Sequence, residues 1–214
     1  MNKSDIIYIM PEIKHIWFDF SDTLASINEE HDKFLYATYG EVVGKPVSSE
    51  LIEEFKKIHK IHKSNSAVFT TGLGLPPSYW QEKIQSANFE KMYALKSEII
   101  PEVLDALRKK VPISIFSNMK MDKLLPHIGI PLSWFTHFLC GSEFKNPKPA
   151  LDGFYKLVEV TGIPAENILF IGDSVEKEMI PAKKVGIQTA IVWTKSTEAD
   201  YSFKNFEDIL CIFK

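Results

Sequence analysis

Arginine is almost missing from this chain: of 25 basic residues in 214, one is arginine, Arg108, and the rest are lysines. A site that grips a carboxylate or phosphate through a guanidinium fork is therefore excluded everywhere except near residue 108. Cysteine is scarce as well. Cys140 and Cys211 lie far apart and match no metal-ligand spacing, which argues against a thiolate zinc centre and makes a reduced, cytoplasmic thiol pair the expectation. There is no basic stripe interleaved with aromatics, and the net charge is −3, so nucleic acid is not an expected partner. Near the N-terminus the only apolar run is Ile6 to Met10, flanked by Asp5 and Glu12. It is too short and too acidic for a signal peptide or a membrane span, and residues 1–9 read as an ordered extension or a dispensable tail. No internal repeat or low-complexity tract appears.

What the chain does have is 45% apolar content, enough for a main domain with a small second lobe. Ile13 to Phe18 has strand length and β-branched and aromatic character, and it ends at Asp19 within Trp17-Phe18-Asp19-Phe20-Ser21-Asp22-Thr23-Leu24. Pro112 to Phe116 is a second apolar run, ending at Ser117-Asn118, and Ile168 to Ile171 is a third, ending at Gly172-Asp173-Ser174 with Glu178 five residues after Asp173. Between them Lys148-Pro149 follows a polar loop and opens a helix-like segment. A polar residue just past a buried strand is by itself a turn former. Four such residues at strand ends are another matter, since that rim is where open α/β sheets bind ligands. Further helix signals at Pro101 to Lys110, Leu151 to Val160 and Lys177 to Lys184 alternate with strands at Phe135 to Cys140 and Gln188 to Trp193. The alternation predicts parallel pairing with right-handed crossovers.

In this order the four segments resemble the motifs of the haloacid dehalogenase superfamily, and the resemblance spans nearly the whole chain. It implies an α/β fold: a Rossmann-like, doubly wound parallel sheet core over residues 1–25 and 98–214, with a small α-helical cap domain over 26–97. It also implies roles. Asp19 is matched to the nucleophile, Ser117 and Asn118 to the phosphate-binding position, and Lys148 to the charge clamp. Mg²⁺ is expected between Asp19, the backbone carbonyl of Ser21 and Asp173, with Glu178 reaching it directly or through water. Sparse oxygen coordination of this kind suits Mg²⁺ better than Zn²⁺.

Two departures from the family pattern bear on the chemistry. Ser21 stands where the second acid of the first motif belongs, and Asp22 replaces the glycine after it. In family phosphatases that acid protonates the leaving oxygen and then deprotonates water, a contribution of about 10²–10⁴ in rate. Serine does not titrate near neutrality. Aryl or acyl phosphates, whose leaving groups need no proton, are therefore expected to be hydrolysed far better than alkyl phosphates, unless Asp22 supplies the acid.

The insertion between the first two motifs shows helical spacing near 28–40, 48–63 and 77–96, broken at Pro46 and across Thr70 to Pro77. By the resemblance this cap selects the substrate. Tyr36, Phe69, Tyr79, Trp80 and the Gly72-Leu73-Gly74 turn are candidate contributors, although packing between cap helices accounts for the aromatics as well. His59 and His62 share a helix face but lack a third ligand, and a solvated face is the expectation for them.

The leading functional expectation is a Mg²⁺-dependent phosphatase acting on a small phosphorylated metabolite. One alternative is a catalytically impaired protein that uses the phosphate and metal pocket for binding or protein interaction. Haloacid cleavage fits poorly, because no arginine exists in the cap, and phosphonate cleavage would call on a cap lysine.

Overall fold

The structure, a computed structural model, describes residues 11–213; the expected N-terminal extension over residues 1–9 lies outside them. The first strand, β1 (His15–Phe18), is buried along its whole length, as a strand covered on both faces must be. It is followed by a short strand β2 (Ala25–Ile27), helices α1 (Glu29–Val43) and α2 (Ser49–His62), a turn of helix α3 (Asn65–Ala67) that widens into a π-turn at Val68–Gly72, and α4 (Tyr79–Ser86). Strand β3 (Tyr93–Leu95) then pairs antiparallel with β2. The helical insertion is thus bracketed by a two-stranded ribbon, a feature not legible in the sequence.

Caps explain the helix boundaries. Asn28 accepts the amide of Glu30, and Glu29, Glu30 and Asp32 place negative charge in the first turn of α1, which ends at Gly44 with φ 68°. Ser48 caps α2, which ends at Lys63. The third helix expected over 77–96 stops at Ser86, where Ala87 turns extended and frees the chain to reach β3.

The remainder runs α5 (Ile100–Arg108), β4 (Ile113–Ser117), α6 (Leu124–His127), β5 (Phe138–Cys140), α7 (Asp152–Thr161), β6 (Ile168–Gly172), α8 (Ile180–Lys184), β7 (Gln188–Val192) and β8 (Tyr201–Phe203). A π-turn at Val175–Met179 leads into α8. The main sheet has six strands in the order β5-β4-β1-β6-β7-β8, and every neighbouring pair is parallel.

Side chains of successive strand residues enter two separate cores. Ile16, Phe18, Ile115 and Ile171 pack with α5, α6 and Phe206 on one face. Trp17, Phe116 and Phe170 pack with α7 and α8 on the other. This is the doubly wound arrangement, and it explains why the strands read as continuous apolar runs rather than alternating ones. The chain leaves β1 towards β4 and β5, then returns to β6 on the opposite side and continues outward. The direction of travel therefore reverses at β1, and β4, β1 and β6 carry Ser117, Asp19 and Asp173 to the crevice formed there.

Candidate active site

Asp19 directly follows β1, and its amide donates to Ile171 O on β6 at 2.9 Å. The residue is 2% exposed. Beside it lies the ammonium of Lys148, itself fully enclosed, which donates to Asp19 Oδ1 at 2.6 Å, Phe116 O at 3.0 Å and Glu178 Oε1 at 3.1 Å. All three of its donors are thus satisfied. The rings of Phe116 and Phe170 lie 5.0 and 5.4 Å from the same nitrogen, adding attraction to the π-faces.

Asn118 positions this lysine through its backbone. Lys148 N donates to Asn118 Oδ1 at 2.9 Å, and Asn118 Nδ2 donates to Lys148 O at 3.1 Å. Gly141 leaves room for that amide, since a Cβ there would collide with Asn118 Oδ1. Asn118 does line the cavity described below, but both ends of its amide are engaged by protein. Ser117 is buried in the same wall, and its Oγ accepts the amide of Met119 at 3.2 Å.

The acids after β6 close the other side. Glu178 is fully buried; one oxygen accepts from Lys148 and the other accepts the Ser174 amide at 3.2 Å. Gly172 makes this possible, because a Cβ at that position would strike the Glu178 carboxylate. Asp173 accepts a 3.4 Å hydrogen bond from Thr23 Oγ1. Lys177, which sequence reading did not single out, projects its ammonium into the cluster, 3.5 Å from Glu178 Oε1, 3.8 Å from Asp173 Oδ1 and 3.9 Å from Asp19 Oδ2.

Burial by itself would raise the Asp19 pKa. The ammoniums of Lys148 and Lys177, with hydrogen bonds from Lys148 and the Phe20 amide, outweigh it and hold the carboxyl below its usual range. Glu178 goes the other way: burial, then the negative charge of Asp19, push it up to about 7 against the pull of the two lysines. Asp173 is also raised, first by burial and then by the charges of Asp19 and Asp22, with Lys177 opposing. Lys177 loses charge stability on burial, but Glu178, Asp19 and Asp173 more than compensate and hold it protonated.

The cluster suits a hard divalent cation. Ligand oxygens of Asp19, Asp173 and Glu178 lie within 4.8 Å of one another. Asp19 Oδ2 is, among the described residues, the one buried side-chain polar atom with no hydrogen-bond partner, and an orphaned carboxylate oxygen of this kind is expected to have a ligand. Asp19 Oδ2 and Asp173 offer oxygens least committed to protein donors, while both Glu178 oxygens are already in use.

In front of these groups is a cavity of about 300 Å³ whose lining includes Asp19, Ser21, Asp22, Ser117, Lys148 and Asp173. Ser21 is half-buried there, and Asp22 takes a left-handed φ of 60° with its carboxylate 3.5 Å from Lys96 Nζ. The insertion supplies the opposite wall through His31, His59, Ser64 and Trp80, joined by Tyr93 of β3. His59 is therefore half-buried at the cavity rather than on a solvated face, and His62 instead contacts Thr71 Oγ1 at 3.0 Å. Trp80 stacks on buried Phe69 with centroids 5.2 Å apart, so one ring packs while the other also faces the cavity. Tyr36 lies in an adjoining cavity of about 660 Å³, shared with His31, His59 and Lys63. His31, Ser64 and Lys177 carried no sequence signal, because each is defined by contacts across long separations.

Carboxylates and an enclosed ammonium gathered at the carboxyl edge of a doubly wound parallel sheet define an α/β enzyme fold with its site at the switch point. Residues 13–186 match the family model of the haloacid dehalogenase-like hydrolases, and the chain belongs to that family of hydrolases. A search of curated proteins finds no match. Among solved structures, the chain is similar to a phosphatase of the superfamily from Thermococcus onnurineus, with 20% identity, TM-score 0.69 and coverage of 94% of this chain and 98% of that one. It is similar also to a predicted phosphoglycolate phosphatase from Haemophilus somnus, at 21% identity and TM-score 0.68, covering 96% and 100%. A superfamily hydrolase from Bacillus subtilis, bound to magnesium, gives 15% identity and TM-score 0.64 over 94% and 99%. Such identities show a shared fold. No described helix is long and apolar enough to cross a membrane.

Proposed function

We propose that the protein is a Mg²⁺-dependent phosphatase for a small phosphorylated metabolite, and that Asp19 forms a transient aspartyl-phosphate. The observation that carries this reading is the unpartnered, buried Asp19 Oδ2 beside an enclosed lysine: a carboxylate kept ionised and left free on one oxygen. The phosphatase and the magnesium-bound hydrolase among the fold neighbours are consistent with it.

Phosphoryl transfer needs an in-line nucleophile and positive charge around the equatorial oxygens. In the proposed division of labour Asp19 attacks phosphorus, and the Lys148 ammonium, held by Asn118, neutralises charge on nucleophile and phosphate. Ser117 contacts the phosphoryl group. Asp19, the Ser21 carbonyl and Asp173, with Glu178 behind them, would hold Mg²⁺, whose positive charge would lower the repulsion between the carboxylate and the phosphate. Residues 1–25 and 98–214 act as the catalytic core, and residues 26–97 as a cap whose His31, His59, Trp80 and Tyr36 face the substrate. The cavity of about 300 Å³ suits a small molecule.

Ser21 has no proton to give at neutral pH, and leaving groups that need none are the best substrates. The same substitution favours the second reading, a protein that binds phosphate and cation without turnover. Phosphate release from an aryl and an alkyl phosphate with Mg²⁺ separates the two. The phosphatase reading expects aryl turnover in the wild type, a rise in alkyl turnover in Ser21→Asp, and loss of both in Asp19→Asn. If wild type and Ser21→Asp stay at the Asp19→Asn background, the binding role stands instead.

A further inference from the structure

Removal of the second acid leaves the site without a proton donor at residue 21, yet the cavity holds another titratable side chain directed from the insertion. His31, in the first turn of α1, is 2% exposed and lines the same cavity as Asp19 and Ser21. Its Nδ1 lies 3.4 Å from Asp32 Oδ1. Among the described residues Nε2 has no hydrogen-bond partner and is not among the fully enclosed orphan atoms, so that nitrogen is open to solvent on a residue that lines both this cavity and the adjoining one. The ring is fixed edge-on between Trp80 and Tyr93, with centroid distances of 5.8 and 5.7 Å. A buried histidine oriented by a carboxylate on one nitrogen and open on the other is arranged as proton-transfer groups are.

We infer that His31 carries the proton that residue 21 cannot, donating it from Nε2 to the leaving oxygen of an alkyl phosphate and then accepting one from the attacking water. This rests on the phosphatase reading above. In the first step the Asp19–phosphorus bond forms, the phosphorus–oxygen ester bond breaks, and the imidazolium proton goes to the alkoxide, giving alcohol and neutral His31. In the second, water attacks phosphorus, the aspartyl–phosphate bond breaks, and His31 takes the water's proton, returning to imidazolium as hydrogen phosphate leaves. Protons and charge balance over the cycle with no further reactant.

The groups facing His31 are Asp32 on its own helix, Asp22 from the loop after β1, Tyr93 from β3 and the uncharged Trp80 from α4. Burial lowers its pKa below the usual value, while Asp32 and Asp22 pull the other way. His59, the other histidine at the cavity, meets only the cations Lys177 and Lys63, which with burial hold its proton off. Of the two, His31 has the carboxylates that favour imidazolium, and an arriving phosphate dianion adds to them.

The test compares kcat/KM for p-nitrophenyl phosphate and glycerol 1-phosphate, with Mg²⁺, in the wild type, His31→Gln and Asp22→Asn. His31→Gln is expected to lower kcat/KM for the alkyl ester by about 10²–10⁴ and that for the aryl ester far less, with an unchanged circular dichroism spectrum showing that the variant is folded. With the aryl ester its kcat and KM fall together and a burst of nitrophenolate precedes the steady state, because the second step has lost its base. For the wild-type alkyl ester kcat/KM falls as pH rises through the lowered His31 pKa, on the acid side of 6.5, and His31→Gln loses that limb. Equal loss on both esters makes His31 structural and overturns the inference, as does an unchanged ratio or a ratio that responds to Asp22→Asn instead. Aryl turnover without any alkyl turnover in the wild type keeps the phosphatase and removes this role. Turnover of neither ester removes both.

Discussion

Ser64 Oγ donates a 2.7 Å hydrogen bond to the carbonyl of Lys148, across 84 positions of sequence. The same hydroxyl caps α3 by accepting the Ala67 amide at 3.2 Å, and Asn118 Nδ2 reaches it at 3.3 Å. One buried serine therefore ties the start of a turn in the insertion to the loop that carries the enclosed lysine.

Ser64→Ala removes the cap and the link together. Loss of an N-cap hydroxyl costs about 0.5–2 kcal/mol, and the Lys148 carbonyl keeps Asn118 as a donor, so a fall of about 1 kcal/mol in urea unfolding is expected. The larger effect should be functional. With the insertion less tightly held over Lys148, KM for a phosphate ester rises more than kcat falls, and steady-state kinetics with the variant check this.

Lys148 is the only fully enclosed cation touching both Asp19 and Glu178 by hydrogen bond among the described residues. Lys148→Met keeps the length and apolar stem but leaves two buried carboxylates without that partner. Breaking a buried pair from one side costs about 3–5 kcal/mol. Urea unfolding in chelator should show a loss of that order, and added Mg²⁺ should recover part of it, because a ligand that binds only the folded state stabilises it. A loss below about 1 kcal/mol in chelator would show that the pair does not contribute as a buried one.

The main sheet and its rim were legible because they depend on local chemistry. Asp19, Ser117 and Asp173 each end a run of β-branched and aromatic residues, and a run buried on both faces stands out from the turns around it. Other features depend on geometry that no short window carries. The β2 and β3 ribbon has three residues per strand, too few for an alternation to register. Tyr201–Phe203 is half-buried at the sheet edge and has no apolar run to announce it. The π-turn at Val175–Met179 matches helical spacing in sequence, but in that widened turn Lys177 reaches Asp19 and Asp173 as well as its neighbour Glu178. His31 looked like one polar residue in an acidic first turn, and only the fold brings Asp22, Trp80 and Tyr93 around it.

A pH effect is expected well away from the cavity. His15 Nε2 and Ser114 Oγ lie 2.8 Å apart, and the ring stacks near His137 at 5.9 Å. Burial, and secondarily the charge of His137, lower its pKa to about 4 from 6.5. The folded state thus holds His15 neutral where the unfolded chain would take a proton. Its contribution to stability is complete above about 6.5 and is lost progressively as pH falls towards 4. Melting temperatures measured across that window should decline in the wild type, and His15→Gln, which cannot titrate, should show a shallower decline. An identical slope in both would assign the acid sensitivity to other groups.

Lys177 poses the sharpest question about the cation site, because its ammonium stands within 3.9 Å of oxygens of Asp19, Asp173 and Glu178. Those are the acids proposed above to hold a divalent ion. At 3.5 Å and beyond, these contacts are charge–charge attractions rather than good hydrogen bonds, so the ammonium can move without breaking a tight bond. Two unit charges about 4 Å apart repel by about 4 kcal/mol at an effective dielectric near 20, and a divalent ion doubles that to about 8 kcal/mol; retreat of the flexible side chain would relieve most of it. Enough should remain for Lys177→Gln to bind Mg²⁺ about tenfold more tightly, read by calorimetric titration. The same substitution should lower the melting temperature in chelator, where the acids lose a counter-charge, and widen the gain on adding Mg²⁺. Unchanged or weaker Mg²⁺ binding by Lys177→Gln would mean that the ammonium assists the site, by holding Asp173 in place, rather than competing for it.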